Sequence, residues 1–133
     1  MAITINASPT NGLQMASDGS GVVKLQSNGV TTNALAWVNF NGMSGSVAIR
    51  TQYNISSVTR NSAGNYTLAF TNALSDANYC VGGFSEGASG FNGLSVYASG
   101  GGGTAPTLKT TTQVQLEAGG FDVYTGMVIV FGN

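Results

Sequence analysis

The chain has 133 residues, the length of one domain, with 7% charged residues, a net charge of −1 and no histidine. Four basic residues cannot track a phosphate backbone, so nucleic acid is not an expected partner. Without His, the usual Ser–His and Cys–His nucleophile pairs and the commonest metal ligand are missing, and a zinc centre needs more than the single Cys80.

Hydrophobic residues make up 42% of the chain, enough for one sheet-on-sheet core. Ordinary soluble domains carry about 25% charged residues. Here Asn, Ser, Thr and 20 glycines take their place. Such a surface is solvated by neutral hydrogen-bonding groups, and weak mutual repulsion favours association with other proteins. No run approaches the ~20 apolar residues of a membrane span. The opening MAITINASPTNG has neither a basic nor a hydrophobic signal region, so no secretory leader and no membrane insertion are expected. The sequons at Asn6, Asn54 and Asn65 are chance matches in an Asn/Ser/Thr-rich chain.

In chain order, residues 1–33 show only short strand signals, AITINA and GVVKLQSNG, separated by Gly, Pro, Ser and Asn. They read as an extended N-terminal arm. Its apolar residues Ile3, Ile5, Leu13, Val22, Val23 and Leu25 would find their partners on another surface. Residues 34–133 form the domain proper. LAWVNF is apolar on both faces, Leu35 and Trp37 on one and Val38 and Phe40 on the other. That pattern fits a strand with the core on one side and a second apolar contact on the other. SVAIR, NYTLAFT and QVQLEA alternate, turning Val47 and Ile49, then Tyr66, Leu68 and Phe70, then Val114 and Leu116 to one face. NYCVGGF is an apolar run and predicts a buried, inert thiol for Cys80. YTGMVIVFG is apolar on both faces from Met127 to Phe131 and predicts a central strand covered on both sides.

The connections carry turn chemistry. NSAGN reads as a hairpin with Gly64 at positive φ, and NGMSGS serves similarly. EGASGFNG and SGGGGTAP bracket a strand at Leu94–Ser99. No apolar spacing of helical period is sustained, and about eight strands are counted from Leu35 onward. The fold class is therefore all-β: an antiparallel β-sandwich, jelly-roll-like, with an extended N-terminal arm.

No catalytic, metal or cofactor set emerges. Of the five acids, Glu117 and Asp122 could approach each other across AGGF as a glycosidase pair. Scattered acids in loops and at strand ends are the better reading. The glycine-rich stretches neither open a helix nor contain a phosphate-binding lysine motif. A sugar could stack on Trp37 or a tyrosine, but Trp37, Tyr66 and Tyr79 sit within strand signals and read as packing residues. Phe91, Asn92 and Tyr97 on the Gly-rich loop are the expected place for a receptor contact.

The segment Ala36–Phe84, AWVNFNGMSGSVAIRTQYNISSVTRNSAGNYTLAFTNALSDANYCVGGF, resembles one recurrent in virion proteins of tailed bacteriophages. The shared order is A-W-V-N-F-N-G, V-A-I-R, N-I-S-S-V, G-N-Y-T-L-A-F and a D-A-N-Y step. The stretches TINAS and DGSGVVKLQSNGVTT are similar to the opening of phage fibre-type proteins, and MVIVFGN to that family's closing apolar strand. Where the family often has Asp, this chain has Arg60. The resemblance implies a non-enzymatic virion part assembled in the host cytoplasm: a homotrimeric capsid decoration (cement) protein or short fibre. Its arm would anchor on capsid or tail proteins, and Trp37, Val38 and Phe40 would pack the core or the trimer. A fibre tip that binds a host-surface glycan is the alternative.

Overall fold

A computed structural model describes residues 25–27, 30–87, 90–96 and 109–132. It is an all-β sandwich, without helix among the described residues. A short ribbon, β1 (Gln26–Ser27) and β2 (Val30–Thr31), leads into β3 (Ala36–Asn41), β4 (Ala48–Tyr53), β5 (Ile55–Ser62) and β6 (Asn65–Phe70). Then come β7 (Cys80–Gly87), β8 (Gly90–Gly93), β9 (Ser95–Val96), β10 (Gln113–Glu117) and β11 (Val123–Phe131). One sheet has the order β4-β3-β11-β7-β8 and the other β5-β6-β10-β9, every neighbour antiparallel.

The core lies between the two sheets. The alternation expected of β6 and β10 holds: Tyr66, Leu68, Phe70, Val114 and Leu116 are all buried. They meet Ala36, Val38 and Phe40 of β3 and Val123, Val128 and Val130 of β11. The Phe40 and Tyr66 rings pack edge-to-face with centroids 5.3 Å apart, directly across the sandwich. Burying the Tyr66 phenol is tolerable because its hydroxyl is satisfied. It donates to the Gly42 carbonyl at 2.9 Å and accepts from the Val123 amide at 3.1 Å.

The chain crosses between sheets at Asn54, which links β4 to β5 with φ of 55°. Asn tolerates that left-handed geometry better than most residues because its short side chain bonds locally. Its amide donates to the Leu35 and Asn72 carbonyls at 3.1 and 3.2 Å, and its Oδ1 accepts from the Asn72 amide at 2.8 Å. Gly64, at φ 70°, closes the predicted β5–β6 hairpin.

Three expectations are corrected. Leu35 does not share a face with Trp37: it precedes β3, in a bend, and its side chain is buried in the core. Cys80 is exposed, because β7 starts at that residue and sets it opposite Phe131 on the solvent side. β11 is central to its sheet, as expected, but covered on one face only: Gly126, Val128 and Val130 point inward while Met127, Ile129 and Phe131 are exposed.

Of the expected arm, Ile3, Ile5, Leu13, Val22 and Val23 lie outside the described residues. Leu25 is 45% exposed beside the β1–β2 ribbon, where its carbonyl accepts the Thr32 amide at 2.6 Å. Tyr97 and the four-glycine stretch also lie outside the described residues. Phe91 and Asn92 are in the edge strand β8 rather than in a loop, paired with Glu86 and Ser85 of β7.

Candidate functional site

The strand period of two gives each strand of the five-stranded sheet an outward set of side chains. In β3 the inward set is Ala36, Val38 and Phe40, leaving Trp37 and Asn39 outward. Of the three residues expected to pack, Val38 and Phe40 are thus core, whereas Trp37 stands on the outer surface. In β11 the outward residues are Thr125, Met127, Ile129 and Phe131, and in β7 they are Cys80, Gly82, Phe84 and Glu86.

Register brings these sets into rows across three strands. Trp37, Ile129 and Gly82 form one row, and Asn39, Met127 and Phe84 the next. Thr125 opposite Glu86 follows at one end, and Phe131 opposite Cys80 lies at the other. The result is a contiguous apolar face. Trp37 is 37% exposed, Ile129 38%, Met127 41%, Phe131 41% and Phe84 70%. Gly82 leaves a trough in it of about 340 Å³, walled by Trp37, Ile129, Met127 and Phe84. A Cβ at Gly82 would touch only Ile129 Cγ2, at 3.6 Å. This lining suits an aromatic or aliphatic side chain. A sugar would find few partners there for its hydroxyls.

One end of this face is closed by a cation. β4 carries a bulge against β3, with Asn39 opposite Thr51 and Phe40 opposite Ile49, so that Arg50 is the extra residue. A bulge re-aims its side chain, and the Arg50 guanidinium lies across two neighbouring strands. It donates to Asn39 Oδ1 at 3.2 Å, Thr125 Oγ1 at 3.1 Å and the Tyr124 carbonyl at 2.6 Å. Glu86 stands on the other side of Thr125.

Two further polar features bear on chemistry. Asp122 is wholly engaged: Oδ1 accepts from Arg60 Nε at 2.7 Å and the Gly64 amide at 3.3 Å, and Oδ2 from the Ser44 amide at 3.2 Å. The Arg60 hydrogen bond holds the carboxyl below its ordinary range, with the Gly64 and Ser44 amides helping against a smaller opposing effect of burial. An acid so held is a structural tie, unsuited to proton donation near neutral pH. Arg60 is thereby accounted for by its ion pair with Asp122. The second feature is a hollow of about 300 Å³ at the Asn54 corner, lined by Gln52, Tyr53, Asn54, Thr71 and Asn72. Among the described residues no group of three or more His, Cys, Asp or Glu could hold a metal ion, and no helix is long and apolar enough to cross a membrane.

The two-sided apolarity of LAWVNF and MVIVF was legible in the sequence, but the expectation that MVIVF is covered on both sides and that Leu35 joins Trp37 hid the fact that this face is exposed. Phe84 and Gly82 were not anticipated, because NYCVGGF reads as one apolar run until the register with β11 separates its two sides. Compared with protein-family models, with curated proteins and with solved structures, the chain matches none of them.

Proposed function

We propose that this chain is a non-enzymatic structural part of a tailed-phage virion, a homotrimeric capsid decoration protein or short fibre that stabilises the particle through its contacts with neighbouring proteins. The observation that carries the reading is the apolar outer face of the five-stranded sheet, set in a surface nearly devoid of charge. A contiguous apolar patch of this kind marks an interaction surface. A neutral, Asn/Ser/Thr-rich exterior suits a part that works packed among others. The resemblance of Ala36–Phe84 to phage virion proteins supplies the context.

Quantitative mass spectrometry of purified particles tests it. A copy number matching the shell is expected for decoration and one matching the tail for a short fibre. Absence of the chain from washed particles would overturn the reading.

A host-glycan contact has one specific observation in its favour, the polar hollow where Tyr53 meets Gln52, Thr71 and Asn72. An aromatic face beside amides and a hydroxyl can stack on a sugar ring and bond its hydroxyls. A glycan array, with Tyr53→Ala as the control that abolishes binding, decides it.

A further inference from the structure

We infer that the outer face of the five-stranded sheet is where copies of this chain pack on one another, about an axis parallel to β11. The inference deepens the self-association in the proposed function and rests on that part of it.

The size of the face is right. Aromatic side chains present roughly 150–250 Å² each. At the exposures given above, Trp37, Phe84, Met127, Ile129 and Phe131 together show on the order of 400–500 Å² of apolar surface. An ordinary protein interface takes about 800 Å² per partner, a little over half of it apolar. The patch therefore matches the apolar share of one such interface, and Asn39, Thr51 and Thr125 supply a polar margin.

The face is also complementary to itself. Rotation about an axis parallel to β11 preserves height along the strands. A residue on the β3 side of one copy then faces a residue on the β7 side of the next at the same height. The register puts Trp37 and Gly82 in one row, on opposite sides of Ile129. The indole of one copy consequently meets the trough of its neighbour, a knob opposite a hole. Two rows further on, the Arg50 guanidinium reaches Thr125 from the β3 side and Glu86 flanks it from the β7 side. The same rotation sets Arg50 of one copy opposite Glu86 of the next, so the face's cation and anion are paired as well. A foreign partner would have no reason to share this row-by-row match. The shallow twist between packed sheets alters the rows' alignment only modestly near the axis.

The test uses the full chain. Light scattering on the wild type is expected to give the mass of two or three 13.5 kDa chains; three chains correspond to the homotrimer. Glu86→Arg places like charges opposite each other and should weaken self-association by on the order of a hundredfold, while circular dichroism shows the same folded domain. A second variant reads the register: Asn39→Cys with Phe84→Cys in a Cys80→Ser background. These positions lie two strands apart, roughly 10 Å, too far for a disulfide within one chain. Oxidation is expected to yield covalently joined chains. A one-chain mass for the wild type at its highest soluble concentration would overturn the inference. So would unimpaired association of Glu86→Arg with no covalent product from the double variant. A chain that is monomeric yet recovered in particles would sink this interface and leave the virion reading standing; an associated chain absent from particles would do the reverse.

Discussion

Arg60 Nε donates to Asp122 Oδ1 at 2.7 Å, tying strand β5 of one sheet to the residue that precedes β11 of the other. The same carboxylate holds the Gly64 and Ser44 amides. One side chain thus gathers the β5–β6 hairpin, the β3–β4 connection and the start of β11 at one end of the sandwich. Hydrogen bonds to an ionised acceptor are the stronger kind, and this cluster sits beside the buried Tyr66, whose hydroxyl also donates to Asp122 Oδ1 at 3.3 Å.

Asp122→Asn is expected to lower stability at neutral pH by on the order of 1 kcal/mol, a figure reduced by partial solvent screening. The native carboxyl is held below its usual value by Arg60. Its contribution is therefore present above the ordinary carboxylate pKa of about 3.9 and lost as pH falls through the lowered folded value. Urea unfolding of both proteins along a descending pH series should show their difference shrinking in acid. A constant difference would contradict the assignment.

Tyr79 gives the opposite pH dependence. Its phenol is buried, donates to the Thr110 and Gln113 carbonyls at 2.9 and 3.2 Å, and is pushed up to about 12 by that burial. A group raised in the folded state stabilises fully below its unfolded pKa of about 10. That stability is lost as pH rises from there through the folded value. Burial raises Tyr66 as well, so phenolate absorbance should show the two buried tyrosines titrating late, close to the alkaline unfolding transition, with Tyr79→Phe removing one of them. Tyr79→Phe should cost about 1 kcal/mol at pH 8 and flatten the alkaline loss.

Asn54 combines a left-handed backbone with three side-chain hydrogen bonds at the sheet crossing. Asn54→Ala should lose both features and destabilise by about 2–4 kcal/mol. Asn54→Gly restores the backbone freedom and should recover about 1 kcal/mol of that loss. Equal midpoints for the two variants in chemical denaturation would show that φ at this corner has no cost.

Two glycines of the five-stranded sheet should differ in their response to alanine. At Gly126 a Cβ would fall 2.3 Å from the Phe40 ring inside the core. Overpacking there should cost about 1–3 kcal/mol or more. At Gly82 the added methyl meets, within its own chain, only ordinary contact with Ile129 on the outer face, and at dilution where the chain is single the change in stability should stay within about 0.5 kcal/mol. Thermal unfolding of Gly126→Ala and Gly82→Ala distinguishes the two faces directly.

The amino-acid sequence by itself determined the class of fold and most of the inward set. Alternation at Tyr66–Phe70 and Val114–Leu116 leaves one arrangement that hides the apolar residues, since a slip of one position would expose them all. The turn at Gly64 was legible for a similar reason, as only a residue free to take positive φ closes that hairpin comfortably. What the sequence left open is which strands adjoin, because pairing joins residues remote along the chain. Only the tertiary structure set Gly82 beside Ile129 and Trp37, turned Cys80 outward, and sent Arg60 across to Asp122. The apolar outer face belongs to neither strand β3, β7 nor β11 alone. It exists because three antiparallel strands share a register, and it stays exposed in the single chain because a sandwich can bury only one face of each sheet.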